Sequence, residues 1–146
     1  MGLDQAIKRM SPEIADKLTR RQEGDSADVE GDLSDEEYGN IREVWSGRKE
    51  NHIHAVVKLL TGAEPENCGY TFLTKEQVQD ILSRLYLVHE DHAMAADLLP
   101  GQDGFFFGGT ERDEYFFRAV EDELEEFTEI VKEWDEDSRY AYWCWW

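Results

Sequence analysis

The stretch that decides the fold runs from Leu98 to Trp134 and reads LLPGQDGFFFGGTERDEYFFRAVEDELEEFTEIVKEW. It contains a Pro-Gly turn, three consecutive phenylalanines and a long acidic segment. Within the acidic segment, apolar side chains recur every three or four residues: Phe116, Phe117, Val120, Leu124, Phe127, Val131 and Trp134. This spacing predicts one amphipathic α-helix, with Thr110 as its N-cap. We expect the rest of the chain to give that helix a packing partner.

The other side of this predicted helix carries a row of carboxylates, here named the acidic face: Glu121, Asp122, Glu125, Glu129 and Glu133. Carboxylates four residues apart on a helix repel each other, so the row must lie in water or against a cationic surface. A solvated face is the ordinary case, and a surface shaped for a basic partner is the alternative. The one basic cluster, Lys17, Arg20 and Arg21, is expected to pair with this helix.

The whole chain of 146 residues has a net charge of −19. Between Glu111 and Asp137 thirteen acidic side chains stand against three basic ones, a net of −10. This excess argues against direct binding to nucleic acid or to an anionic membrane surface, and it permits a basic protein partner. A halophilic host would also produce it. No stretch approaches the roughly 20 apolar residues of a membrane span, and the first residues lack the apolar core of a signal peptide.

Capping residues, turn residues and hydrophobic spacing divide the rest of the chain into helices and short strands. Helices are predicted for 1–21, for 34–45, from about 49 to 60, and from 74 towards 99. Extended segments are predicted for 68–73, 105–107 and 140–146, and an acidic loop for 22–33. The sum is a predominantly helical α+β fold with about four to five helices and a small sheet that includes the C-terminal aromatic strand. We expect one domain, with an N-terminal helical segment and acidic loop (1–33) and a core (34–146).

Several motifs occur in a specific order: Met1-Gly2-Leu3-Asp4, then Trp45 and Arg48-Lys49-x-Asn51, then Leu98-Leu99-Pro100, Gly104-Phe105-Phe106-Phe107-Gly108-x-Thr110 and Asp113-Glu114, and a final Trp146. In this respect the chain resembles a family of small phage and prophage proteins. These begin MGLD, carry an LPxxGFFFG-[ST]-xxxDE segment and end in an aromatic segment closed by Trp. The resemblance implies a phage-encoded accessory protein that acts by binding in the host cytoplasm, and such proteins often modulate host defence. This chain departs from the family directly after MGLD: the family has a strand-like segment there, whereas residues 5–8 of this chain look helical.

The segments that resemble the family contain a set of polar residues and glycines that could line a small pocket: Lys49, Asn51, His54, Gly108, Thr110, Asp113 and Tyr115. A phosphate or small nucleotide ligand would suit the lysine, the backbone N–H groups near the glycines and the N-terminus of the following helix. In the alternative, Asn51 caps a helix, His54 and Asp113 hydrogen-bond each other, and the glycines only turn the chain.

Metal binding has weaker support in the sequence. His89 and His92 lie about one helical turn apart and are the weak metal candidates, whereas His52 and His54 are two residues apart and should point to different faces of a helix. The cysteines, Cys68 and Cys144, show neither a zinc spacing nor a disulfide framework and are expected to be reduced thiols. No Ser-His-Asp, CxxC or HExxH arrangement is present, so no cofactor is predicted and nothing compels an enzyme.

Three functions remain. The first is an anti-defence inhibitor, of the anti-CRISPR or anti-restriction type, whose acidic face imitates a phosphate backbone and binds a basic, nucleic-acid-binding host protein. The second is a protein that binds or sequesters a small nucleotide in the pocket. The third is a metal-dependent hydrolase that uses His89 or His92.

Overall fold

The computed structural model describes residues 2–24, 30–31 and 33–146. Over these residues the chain forms an α+β fold, as the sequence predicts. The strands are β1 (Asp4–Met10), β2 (Arg42–Arg48), β3 (Tyr70–Leu73) and β4 (Arg139–Trp145). The helices are α1 (Pro12–Glu23), α2 (Asp35–Asn40), α3 (Asn51–Thr61), α4 (Lys75–Glu90), α5 (Ala95–Leu98) and α6 (Glu114–Lys132), and a 3₁₀ turn (His92–Met94) precedes α5.

The four strands form one antiparallel sheet in the order β2-β1-β4-β3. β1 and β4 are its two central strands, and they pair without interruption from Asp4 opposite Trp145 to Met10 opposite Arg139. The pairing of β1 with β2 shifts register between Ile7 and Lys8. The predicted C-terminal aromatic strand is therefore confirmed, and it lies in the middle of the sheet.

The sheet is covered on both faces. On one face, β1 and β4 side chains such as Ile7 and Tyr142 join the larger apolar core with α3, α4 and α6. On the other face, Met10 and Ala141 join a smaller core with α1. Successive side chains of a strand point to opposite faces, so both central strands are buried on both sides.

The predicted helix over residues 1–21 is wrong over its first half, because Asp4–Met10 is strand β1. A strand buried on both faces shows no polar–apolar alternation. Apolar side chains three and four residues apart imitate a short helical face here: Leu3, Ala6, Ile7 and Met10. The second half of the prediction is confirmed: Ser11 caps α1, with its hydroxyl accepting from the N–H of Ile14, and Pro12 is the first helical residue.

Four further predictions change. The capping box of Ser34 and Glu37 is confirmed, but its helix ends at Asn40 and residues 42–48 form β2. The 105–107 segment, predicted as extended, is a turn. Asp113, not Thr110, caps α6, since its carboxylate accepts from the N–H of Phe116 at 3.0 Å. Of the predicted loop 22–33, the first two residues belong to α1, and positions 25–29 and 32 lie outside the described residues.

The helix predicted from 74 towards 99 is confirmed only as far as Glu90, where α4 ends and the 3₁₀ turn and α5 follow. Three other local predictions are confirmed. α3 ends at Gly62, which has a left-handed φ of 69°, β3 forms within 68–73, and the Thr74–Gln77 capping box opens α4. In the described part of the chain, no helix is long and apolar enough to cross a membrane.

Candidate functional site

One buried side chain, Asn51 at the start of α3, organises the loop that precedes α6. Its amide nitrogen donates to the carbonyls of Phe107 (3.0 Å) and Gly109 (2.8 Å), and its amide oxygen accepts from the N–H of Gln102 (3.1 Å). Gly101 must be glycine there, because a Cβ would lie 2.8 Å from a carbon of Thr110. Asn51 thus links α3 to the 101–109 loop rather than capping a helix.

This loop, the start of α3 and the start of α6 enclose a cavity of about 240 Å³. Its lining includes two basic residues, three acidic residues and several other polar groups: Lys49, Glu50, Asn51, His52, Thr110, Glu111, Arg112, Asp113 and Tyr115. The volume is below the roughly 300–1,000 Å³ of drug-sized sites, so a small ligand, or one end of a larger ligand, is what fits.

Lys49 and Arg112 are the basic residues that line this cavity, and the side chain of Arg112 is the less exposed of the two. Its two terminal nitrogens donate to the carbonyls of Thr110 and Leu99, each at 2.7 Å. Its Nε is buried and has no hydrogen-bond partner among the described residues. A buried donor without an acceptor costs free energy, so an acceptor supplied by a ligand would stabilise this arrangement.

Five of the seven predicted pocket residues line this cavity, and His54 and Gly108 do not. His54 lies in the apolar core, where its Nδ1 is 2.9 Å from the Tyr142 hydroxyl and burial lowers its pKa to about 4. It does not bond Asp113, whose carboxylate caps α6. Gly108 has a left-handed φ of 83°. It lies against the side chain of Lys49, so that an added Cβ would be 3.2 Å from the Cβ of Lys49.

Beside the cavity, α3 and α6 bring together three groups that the sequence prediction did not join: Glu50, His52 and Glu123. The Nε2 atom of His52 lies 2.9 Å from both carboxyl oxygens of Glu123 and 3.8 Å from Oε2 of Glu50. Among the described residues this is the one group of three or more histidine, cysteine or acidic side chains close enough to hold a metal ion, with all ligand atoms within 4.8 Å of one another.

Burial determines the protonation of this cluster. His52 is 4% exposed and Glu123 3% exposed. Burial lowers the pKa of His52 to about 4 and raises the pKa of Glu123 well above its ordinary value. Burial, together with the charge of Glu123, raises the pKa of Glu50 to about 7. Without a cation, His52 is therefore neutral at pH 7, Glu50 is about half protonated, and burial favours the protonated form of Glu123.

The backbone that presents Glu50 is held firmly. The side-chain amide of Gln5 in β1 donates to the carbonyl of Glu50 (2.9 Å) and accepts from its N–H (2.8 Å). The preceding residue, Lys49, has a left-handed φ of 58°, an uncommon conformation outside glycine, and its N–H donates to the carbonyl of Leu3. Non-glycine residues in this region persist where surrounding contacts enforce them, often beside functional sites.

The five residues of the acidic face are all exposed on α6 and its last turn. None of them pairs with a lysine, arginine or histidine in the part of the chain that the structure describes. The expected pairing with the basic cluster of α1 is not found for Lys17, which bonds Glu37 of α2 at 2.5 Å.

His89 and His92 are exposed, and the His92 ring stacks on Phe117 at 3.7 Å.

The sequence did carry one signal for the missed cluster. Val120, Glu123, Phe127 and Ile130 are the buried positions of α6, and they follow the three- and four-residue spacing of an inward face. An acidic residue at such a position is uncommon, since glutamate is almost never fully buried without a partner.

A scan against protein-family models, a search of curated proteins and a search of solved structures each found no match. The fold and the site therefore have to be interpreted from their own residues.

Proposed function

We propose that this chain acts by binding a cationic protein surface through the acidic face of α6. The observation that carries the proposal is that all five carboxylates are exposed and have no ion-pair partner among the described residues. Because exposed like charges on one helix repel each other, a basic partner would relieve a repulsion that the fold itself leaves in place.

The helix is a stiff support for these charges. Its inward side buries Val120, Phe127 and Ile130 in the main core, and burial of each such side chain contributes about 1.5–3 kcal/mol. The ring of Phe127 also contacts that of Trp45 of β2, with centroids 5.4 Å apart. A rigid support lowers the entropic cost of binding, because the charges are already ordered.

The spacing of the charges is close to that of a nucleic acid strand. Glu121 and Glu133 are twelve residues apart, which corresponds to about 18 Å along a helix. Five carboxylates over that length give about one charge per 4 Å, compared with one per about 3.4 Å for a single strand of duplex DNA. The local field is strong: partial burial, then the charges of Asp122 and Glu125, raise the pKa of the neighbouring Glu126.

The partner we propose is a nucleic-acid-binding defence protein of the host, which would make this chain a phage-encoded anti-defence inhibitor of the anti-CRISPR or anti-restriction type. The negative charge density supports a partner with a cationic cleft. The phage origin and the host cytoplasm rest on the sequence resemblance.

The test is affinity capture from host lysate at low and high salt, with duplex DNA as competitor. The test variant changes Glu121, Glu125 and Glu129 to Gln. The matched control changes Glu76, Glu90 and Asp97, which are also exposed, to their amides and alters the net charge equally. Exposed ion pairs contribute about 0.2–1 kcal/mol each, so loss of three such pairs should weaken binding of the test variant about 3- to 150-fold. The control variant should bind the partner normally. Duplex DNA should displace the partner from the native chain. Equal capture by both variants would refute the proposal.

A second function, binding of a small anionic ligand in the cavity, is favoured by the unpartnered Nε of Arg112 and by Lys49 at the rim. Thermal unfolding with inorganic phosphate, AMP and ATP tests it. A ligand of the cavity should raise the unfolding temperature, and Lys49→Asn, which tolerates the left-handed backbone, should reduce that increase. The change of the three acidic-face residues to Gln should leave the increase unaltered.

A further inference from the structure

We infer that Glu50, His52 and Glu123 form a binding site for one divalent transition-metal ion of the Zn²⁺ or Mn²⁺ class. The site joins the N-terminal end of α3 to the inward side of α6 and is separate from the acidic face. The inference is independent of the proposed partner binding.

The distances are those of a ligand set around a cation. Metal–nitrogen and metal–oxygen bonds of about 2.1 Å, at angles of about 90–120°, place ligand atoms about 3.0–3.6 Å apart. The observed separations from His52 Nε2 are 2.9 Å to each oxygen of Glu123 and 3.8 Å to Oε2 of Glu50. The first separation lies just below the required range and the second just above it, and all three ligand atoms lie within 4.8 Å of one another, so small side-chain shifts would complete the site.

Without a metal, hydrogen bonds join the three groups: Nε2 of His52 lies 2.9 Å from both oxygens of Glu123, and the carboxyl groups of Glu123 and Glu50 hydrogen-bond each other. A divalent ion would replace the shared protons as the link between the three groups. Neither carboxyl group has a lysine or arginine within ion-pair distance among the residues described. Buried carboxylates are normally paired with a cation or coordinate a metal, and a divalent ion would satisfy all three groups at once.

The ligand types select the class of ion. One imidazole nitrogen with two carboxylates is a mixed nitrogen and oxygen set, whereas Mg²⁺ and Ca²⁺ prefer oxygen ligands alone. Three protein ligands also leave coordination positions open, as in catalytic rather than structural zinc sites. Glu50 and His52 both line the 240 Å³ cavity, and Glu50 and Glu123 line a second depression, so an ion and its further ligands have access.

The surroundings fix the ligands in place. Gln5 holds the backbone of Glu50 through two hydrogen bonds. The edge of the His52 ring packs against Phe116 at a centroid distance of 5.0 Å. An oxyanion bound to the open positions would lie in the cavity that Arg112 also lines.

Metal-free protein, prepared with EDTA, is titrated with Zn²⁺ and with Mn²⁺ by calorimetry, and the bound metal is counted by elemental analysis. The expected result is one ion per chain. Loss of groups that only orient a ligand weakens metal binding about 10- to 100-fold, so Glu123→Gln and Glu50→Gln, which remove ligands, should weaken it at least 100-fold. Mg²⁺ should compete poorly.

The matched control is a double variant, His89→Gln with His92→Gln, which removes the exposed histidines and should bind metal normally. Co²⁺ gives a second measurement, because a partly open nitrogen and oxygen site produces a visible absorption band. That band should be present in the native protein and in the control and absent from Glu50→Gln. If Glu123→Gln fails to fold by circular dichroism, the half-exposed Glu50 variant decides the question.

Substoichiometric binding of both ions, or affinity unchanged in Glu50→Gln and Glu123→Gln, would overturn the inference. Loss of binding in the histidine control would assign the ion to the surface and overturn it as well. The variant with the three acidic-face changes should keep its metal, so failure of this site and failure of the proposed partner binding give different results.

Discussion

The interaction that we expect to matter most for the shape of the cavity is the set of three hydrogen bonds made by Asn51. Asn51 is 4% exposed, and its partners are the backbone groups of Gln102, Phe107 and Gly109. In Asn51→Ala, three bonds of about 1 kcal/mol each are lost, and the higher helix propensity of alanine returns at most about 0.6 kcal/mol. We therefore expect the free energy of unfolding to fall by about 2–3 kcal/mol.

Urea unfolding followed by circular dichroism measures this change. With a slope of about 1–3 kcal/mol per molar urea, the midpoint should fall by about 0.7–3 M. Asn67→Ala is the matched control, because Asn67 also makes a pair of bonds, to the backbone of Trp146, but is exposed. The control should lose less than about 1 kcal/mol. Equal losses in the two variants would contradict the argument from burial.

Three further outcomes are expected. In EDTA, the raised pKa values of Glu50 and Glu123 make the stability that they contribute fall as pH rises above about 4.5, whereas the lowered pKa values of His52 and His54 act in the opposite direction between about pH 4 and 6.5; the difference in urea midpoint between the native chain and Glu123→Gln, which removes one of the raised groups, should therefore shrink as pH rises from about 4.5 to 7. Ellman's reagent should label the exposed Cys68 in the folded protein and Cys144 only after denaturation, since Cys144 is buried and its pKa is raised to about 12. Tyr142→Phe should lower the free energy of unfolding by about 1–3 kcal/mol, because two buried hydrogen-bond partners lose its hydroxyl; an unchanged urea midpoint would contradict this.

The helical part of the fold was predictable because its signals are local. The capping boxes at Ser34 and Thr74 and the left-handed Gly62 mark helix ends within a few residues. Strand β1 was not predictable in the same way. Its partner in β4 is more than 130 residues away along the chain, and its burial on both faces removes the alternation by which an exposed strand is recognised.

The cavity was partly predictable. Lys49, Asn51, Thr110, Asp113 and Tyr115 were grouped from sequence motifs, and the structure brings them around one volume. The cluster of Glu50, His52 and Glu123 is not predicted, because the apolar spacing places Leu124 in the inward stripe of the long helix. That spacing gives the preceding Glu123 no role, although the structure buries it. Which of two adjacent residues faces inward depends on the packing of α6 against α4 and the sheet, and periodicity alone does not determine it.

The central position of β4 has a consequence for how the chain is made. Ribosomes add roughly 5–20 residues per second, so the residues of β1 wait about 7–27 seconds before those of β4 are synthesised. Until then β3 has no neighbour in the sheet and β1 has one open edge, which is the kind of exposed edge that promotes aggregation. The nascent chain therefore completes its sheet only after Arg139–Trp145 leave the exit tunnel, and chaperone protection should matter most in that interval.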